Sequence, residues 1–278
     1  MSDNPLSQYF RQPAIYIRLP SNGKFYAPDT LETTPNDEYP VLPMTTIDEI
    51  TYRTPDALFN GTAVATVIQS CVPNIKNAWG MPASDIDTVL VAIRIATYGH
   101  EMDITTKCPS CEAETDYGLD LRTVLGQINS PNYAETLKKG DLEIYFKPMS
   151  YQQLNDNNLA QFEEQKVLQV MQNQELDEAD KQKQLGEILK TITNVTIRAL
   201  GQSISAIRTP QTTVSDPNFI AEWLSNCDRG LFAEVRDYII NTKRQGELQP
   251  LKIKCRECEH EYEQIFTLDM TSFFEAAS

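Results

Sequence analysis

The chain has 278 residues, with 24 Lys and Arg against 39 Asp and Glu, a net charge of −15, and 41% hydrophobic residues. This composition excludes wholesale disorder, and the length is enough to bury a real core as one large domain or two modest ones. Polyanion binding needs Lys and Arg to displace counterions, and only Lys243-Arg244 and Leu251–Arg256 hold more than scattered positive charge, so neither nucleic acid nor an acidic membrane surface is an expected partner.

The longest apolar runs, such as Val89–Ile93, are far too short to span a membrane. The N-terminal MSDNPLSQYFRQP lacks the basic and apolar regions of a secretory signal, so the chain is expected to remain in the cytoplasm of the cell that makes it.

In chain order, Ala14–Leu19 alternates and is partly β-branched, which predicts a strand. Ser21-Asn22-Gly23 signals a turn, with Lys24–Tyr26 as the returning strand. Tyr39–Met44 is extended, because Pro40 and Pro43 push the residues before them out of the helical region. Thr45 or Thr46 caps a short helix through Tyr52, and Thr54-Pro55-Asp56 opens a further turn that closes at Asn60-Gly61. Thr62–Val72 carries Ala63, Val64, Val67, Ile68 and Cys71 on one helical face. Ser84–Tyr98 is the clearest helix, with Ser84 as cap, Asp85 and Asp87 in the first turn, and Gly99 closing it. Its apolar surface is broad enough to pack on two sides.

Beyond Ile104 the texture is strand, turn, strand, followed by another strand at Asp141–Lys147. Tyr151–Gln174 and Asp177–Leu200 are long helical patterns joined near Leu176-Asp177. Their apolar stripes, including Val167 and Met171 in the first, predict an antiparallel helical hairpin. Acidic pairs such as Glu163-Glu164 read as its solvated face. Asp216-Pro217 opens a helix through Cys227, Asp228–Arg244 forms another, and Leu251–Met270 returns to strand, turn, strand.

Six cysteines are present, and four fall in Cys-x-x-Cys pairs: Cys108 with Cys111, and Cys255 with Cys258. Two thiolates at this spacing on a tight turn can reach one metal ion, and two such turns complete a tetrahedral sulfur shell that suits zinc. A closed shell of four thiolates is structural, since it leaves no position for water. Each pair stands in Lys-Cys-x-x-Cys-Glu-x-Glu, Lys107–Glu114 and Lys254–Glu261, and each is followed by Leu-Asp-apolar at Leu119-Asp120-Leu121 and Leu268-Asp269-Met270. The pairs lie 144 positions apart, so the residues between them read as an insertion whose ends return to the metal. A disulfide framework would need a secretory signal, and a redox dithiol a βαβ context. His260 reads as a surface residue of the second knuckle, and Cys71 and Cys227 as buried small hydrophobes on helix faces.

With only two histidines, His100 and His260, and no Gly-x-Ser-x-Gly, Walker, His-Glu-x-x-His or Gly-x-Gly-x-x-Gly motif, no catalytic residue and no further cofactor are assigned; the protein is expected not to be an enzyme.

The expected fold is α+β: a mainly helical body with short β-hairpins, including a split zinc ribbon that encloses a long helical insertion. Its segments are an extended N-terminal part (1–50), a helical region (51–104), the split ribbon and β region (105–147 with 247–278), and the helical insertion (148–246).

Met44–Thr54 with Pro55–Gly61, then Ser70-Cys71-Val72-Pro73-Asn74-Ile75, Asp85-Ile86-Asp87, Ala92-Ile93-Arg94 and Tyr98-Gly99, resemble a conserved stretch of T4-like bacteriophage baseplate proteins, the hub subunit or hub assembly family. The resemblance runs from about Ala14 to Asn194. It implies a non-enzymatic protein made in the infected bacterial cytoplasm and placed in, or helping to build, the hub of a contractile tail's baseplate. Its partners would be other baseplate and tail proteins or further copies of itself, with no nucleic acid and no membrane, and its place the virion baseplate if it is retained. The bare residues also fit a zinc-ribbon factor associated with nucleic acid, or a host cytoplasmic adaptor or chaperone.

Overall fold

The computed structural model describes residues 4–54, 61–160, 178–266 and 273–274. Its backbone contacts divide into two units, Met1–Ser130 with Gly246–Ser278, and Pro131–Gln245.

In the first unit, β1 (Ile15–Ile17) pairs antiparallel with β2 (Tyr39–Val41). The strand return expected at Lys24–Tyr26 is therefore made about fifteen residues later. Asn22, Gly23 and Phe25 all take the left-handed conformation, with φ of 53°, 71° and 68°. A bulky residue with positive φ breaks an extended run, so Phe25 ends any strand there. Tyr26 is used differently, as a donor to Asp85.

Of the two caps expected for helix α1 (Thr46–Tyr52), Thr45 is the one used, and the cap is reciprocal. Thr45 accepts from the Asp48 N–H, and the Asp48 carboxylate accepts from the Thr45 N–H. The same carboxylate receives Arg11 at 3.1 Å and the Ser70 hydroxyl at 3.1 Å. Arg11 also donates to the carbonyls of Pro43 and Ser70. One side chain thus pins the N-terminal arm to α1 and to the end of α2 (Thr62–Cys71). Helix α2 buries Ala63, Val64, Val67, Ile68 and Cys71, the face that helical spacing predicts. Cys71 is fully buried, and burial first, then the neighbouring Asp48 charge, push its thiol up to about 12 against the pull of Arg11. The turn expected from Pro55 to Asn60 lies outside the described residues.

Helix α3 (Ile86–Tyr98) forms the centre of this unit. Val89–Ile93 is fully buried, because β1 and β2 pack against the helix, as do α2 and the short α4 (Leu121–Gln127). Gly99 ends it at φ 89°. Ser84 does not cap the helix as expected. Residues Ala83–Asp85 form a 3-10 turn, and Ser84 donates to Asp85 at 3.4 Å. Asp85 is completely buried and accepts from the Ser21 N–H at 2.8 Å, the Ser21 hydroxyl at 2.5 Å and the Tyr26 phenol at 3.0 Å. Burial raises its carboxyl to about 6, with the donors from Ser21, Tyr26 and Ser84 opposing. Helix α4 escaped the sequence reading; its Asp120 cap, which accepts from the Arg122 N–H, was the available signal.

In the second unit, β5 (Leu137–Lys139), β6 (Leu142–Phe146), β7 (Ile204–Arg208) and β8 (Thr213–Val214) form one antiparallel sheet in that order. The strand read at Asp141–Lys147 thus belongs with this sheet. Two strands, β7 and β8, lie inside the segment expected to be wholly helical, 148–246. Ile204–Arg208 alternates, but its proximity to the preceding helical run concealed it. Residues 151–160 are helical, and α5 covers Glu178–Gln202. Asn157 ties these two helical stretches by donating to Gln202 at 3.0 Å and accepting from Arg198 at 3.2 Å. The link of the expected hairpin at Leu176-Asp177, the pair Glu163-Glu164, and Val167 and Met171 lie outside the described residues.

Asp216 caps α6 (Pro217–Asn226), with Pro217 at its first position, and Asp228 caps α7 (Arg229–Gln245). Ile144, Phe146, Leu200, Ile204, Ile207, Ile220, Leu224 and Val235 make the core, and Phe146 stacks on Tyr238. Cys227 differs from its expected place: it follows α6 in extended backbone and is only half-buried.

Two outcomes are expected. Asp85→Ala should cost about 3 kcal/mol, since it strands the buried Ser21 donors. Because the folded carboxyl binds its proton more tightly than the unfolded chain, the Asp85 contribution favours folding more as pH falls from about 6 to about 4. Denaturant titrations should show the stability of the native chain rising relative to Asp85→Asn over that range, by on the order of 2 kcal/mol. Second, the Asn132 N–H donates to the Gln245 side chain, so the ends of the second unit meet. Replacing 131–245 by a short Gly/Ser linker should leave the first unit folded, with the native amide pattern in its NMR spectrum.

Candidate metal centre

Two β-hairpins carry the four paired cysteines. In the first, β3 (Glu101–Lys107) and β4 (Glu114–Asp120) pair in continuous antiparallel register, from Glu101 opposite Asp120 to Lys107 opposite Glu114. In the second, β9 (Leu251–Lys254) pairs with β10 (Glu261–Gln264), Lys254 opposite Glu261. The turn between the strands is the knuckle in both.

The knuckles repeat each other bond for bond. Cys108 donates its N–H to the Ala113 carbonyl and accepts from the Glu112 N–H; Cys255 does the same with His260 and Glu259. Glu112 and Glu259 are left-handed, at φ 59° and 57°. That conformation costs a non-glycine residue about 1–2 kcal/mol, so its recurrence marks a required turn. Each of these glutamates also reaches back to the lysine before the first cysteine, Lys107 to Glu112 and Lys254 to Glu259, both at 3.3 Å. The shared Lys-Cys-x-x-Cys-Glu is thus the sequence of one turn geometry used twice. The expected third part of the repeat, Leu268-Asp269-Met270, lies outside the described residues.

The hairpins face each other. The Thr106 and Tyr262 hydroxyls meet at 2.7 Å, Tyr117 donates to the Lys254 carbonyl at 2.9 Å, and Arg256 lies over the Tyr117 ring. This brings all four sulfurs within 4.8 Å of one another. Cys108 Sγ lies 3.7 Å from Cys258 Sγ, and Cys111 Sγ lies 3.7 Å from Cys255 Sγ. An ion about 2.3 Å from each sulfur of a tetrahedron sets neighbouring sulfurs about 3.8 Å apart. The donor set therefore fits a thiophilic, four-coordinate metal. Cys108 and Cys255, the first of each pair, are buried, while Cys111 and Cys258 are exposed, so the cluster has one covered and one open side.

Cys108 and Cys111 are shifted in opposite directions. Desolvation pushes Cys108 up, but donation from the Cys111 and Ser110 amides and from the neighbouring thiols outweighs it and brings Cys108 down to about 6. The Ala113 amide pulls Cys111 down, yet its contacts with the other cysteines raise it to about 12.

His260 stands outside the sulfur group. It is exposed, and its ring stacks on Tyr262. His100 is a half-buried loop residue after Gly99. The outer face of the first hairpin is acidic, with Glu101, Asp103, Glu114 and Asp116 exposed. Residues 131–245 hold 13 Lys and Arg against 16 Asp and Glu, which leaves 11 against 23, a net −12, for the unit that contains the knuckles. Among the described residues no helix is long and apolar enough to cross a membrane, and the four cysteines are the one group of Cys, His, Asp and Glu placed to hold a metal ion.

The chain matches the T4 bacteriophage base plate protein family over residues 18–275 and belongs to that family. It is therefore a phage structural protein of the baseplate. The match takes in both knuckles and everything between them. No curated protein and no solved structure matches the chain significantly.

Cobalt(II) titration should give one equivalent of bound ion with intense thiolate charge-transfer and tetrahedral visible bands. Cys108→Ser and Cys255→Ser should each weaken cobalt binding at least about a hundredfold, whereas Cys227→Ser should leave the spectrum unchanged.

Proposed function

We propose that this protein is a non-enzymatic component of the hub region of a contractile-tailed phage's baseplate, either built into the hub or guiding its assembly. It is folded around one structural zinc bound by Cys108, Cys111, Cys255 and Cys258, and it acts through contacts with other baseplate proteins. The two hairpins form a split zinc ribbon, and the zinc supplies a rigid joint with no open coordination position.

The observation that carries this reading is the convergence of four sulfurs from knuckles 144 positions apart, in a chain that belongs to a baseplate family. A joint of that kind holds a particle component in shape. The exposed faces support the contact role: Leu6, Tyr9 and Phe10 stand out on the arm that Arg11 anchors, and Ile47 and Ile50 on α1. The acidic ribbon favours basic protein surfaces over nucleic acid. In this reading the chain is made in the host cytoplasm and ends in the virion baseplate, and the helical part of 148–246 is an arm for a neighbouring protein or a second copy.

Mass spectrometry of purified particles and of baseplate intermediates tests the placement. The chain is expected in intermediates that contain the hub, with one zinc per copy by elemental analysis. A Cys108→Ser, Cys255→Ser phage should accumulate tails without complete baseplates. Absence of the chain from particles and intermediates alike would sink the reading.

A further inference from the structure

The four cysteines form an inner and an outer pair. Cys108 and Cys255 are buried, at 1% and 2% exposed, while Cys111 and Cys258 are open to solvent. Two sulfur contacts of 3.7 Å cross between the knuckles, and each joins an outer sulfur to an inner one, Cys258 to Cys108 and Cys111 to Cys255. A reagent from outside therefore meets first a sulfur that has a shielded thiol of the other knuckle beside it. The hairpins are also held opposed by contacts that involve no sulfur. Thr106, only 5% exposed, meets Tyr262 at 2.7 Å, and Tyr117 donates to the Lys254 carbonyl next to Cys255. Within a knuckle the backbone is closed by its own bonds, Cys108 N–H to Ala113 and Glu112 N–H to Cys108, and a disulfide inside it would pull against that turn.

We propose that the cluster is also an oxidisable site, which hydrogen peroxide converts into two disulfides across the knuckles, Cys108 with Cys258 and Cys111 with Cys255, so that the hairpins stay joined without a metal ion. The setting rests on the functional reading above, which takes the chain from a cytoplasm that keeps thiols reduced to a particle outside the cell, where disulfides persist. An outer thiol attacks the peroxide; the S–O bond forms, the O–O bond breaks, and the thiol proton leaves with the departing hydroxyl as water. The sulfur, oxidised by two electrons, is now a sulfenic acid. The inner thiol opposite attacks it; the S–S bond forms, the S–O bond breaks, and a second water leaves. Each disulfide thus consumes two thiols and one peroxide, and two disulfides leave no thiolate to hold a metal. Closing a gap of 3.7 Å to a bond of about 2.0 Å asks for a small side-chain movement.

The full chain, as purified and after a chelator has removed its metal, is treated with hydrogen peroxide and digested with trypsin without reduction. Peptide 108–122 should be joined both to Cys255-Arg256 and to 257–278, with fragmentation placing Cys108 on Cys258 and Cys111 on Cys255. Metal should leave the loaded chain as the disulfides form, read with a coloured chelator. The oxidised metal-free chain should melt at least about 5 °C above its reduced metal-free form, because the bonds tie residues 150 and 144 positions apart. Of the four cysteines, Cys111→Ser with Cys255→Ser keeps Cys108 and Cys258, and should form its disulfide at least about tenfold faster than Cys255→Ser with Cys258→Ser, which keeps Cys108 and Cys111. Any other pairing among the four overturns the proposal, and so does sulfinic acid at Cys111 and Cys258 with no bond between the hairpins. A chain that holds no metal as purified and binds no cobalt has failed the zinc reading instead, and the peptide map of the metal-free chain still decides the pairing.

Discussion

The meeting of four sulfurs is the constraint on which the first unit depends. Two short hairpins, one of them only four residues per strand, bury little apolar surface of their own. They are held together by a few side-chain contacts, Thr106 with Tyr262 and Tyr117 with Lys254, and by whatever the sulfurs bind. A thiophilic ion on all four would make one rigid piece of two ribbons remote in sequence, and its binding energy would be folding energy. The repeated left-handed glutamate in each knuckle fits this economy, because the strain of the turn is tolerated where it aims both sulfurs at one point.

Away from the cysteines the unit is organised by two buried carboxylates with different neighbours. Asp48 is matched by a guanidinium and lies at the entry to α1, so it joins the N-terminal arm, α1 and α2. Asp85 has hydroxyl and amide donors and, among the described residues, no cation paired with it, and burial raises its carboxyl toward neutrality. The first is an ionic clasp and the second a polar knot under the central helix. Both draw on residues 22 to 64 positions distant, which is how a region with short strands keeps a defined path.

What was legible in the sequence followed from local physics. A cap at Thr45 or Thr46, the buried face of α2, the Gly99 stop and the Asp216-Pro217 start are each set by a few adjacent residues, and each stands where the pattern places it. The four sulfurs were legible for the same reason, because Cys-x-x-Cys and its repeated flanks specify a turn. What failed was non-local. No nearby residue indicates that β1 pairs with Tyr39–Val41, and the alternation at Lys24–Tyr26 is overruled by one left-handed phenylalanine. The sheet of β5 to β8 joins residues on both sides of the long helical stretch, and pairing across such a distance leaves no periodic trace. Asp85 looked like an ordinary acidic residue at a helix start; its burial depends on Ser21 and Tyr26, which lie more than fifty positions earlier.

The order of the knuckles along the chain bears on how the protein is made. A ribosome adding about 5–20 residues per second needs roughly 7–30 seconds to travel the 144 positions from Cys111 to Cys255. During that interval only the first hairpin, with two of the cluster's four thiols, has been made. The second unit, Pro131–Gln245, is complete before the other two exist. Closing the sulfur shell is necessarily a late event in the biogenesis of each copy, and nascent chains released short of Cys258 would carry every residue of the second unit but an incomplete set of sulfurs.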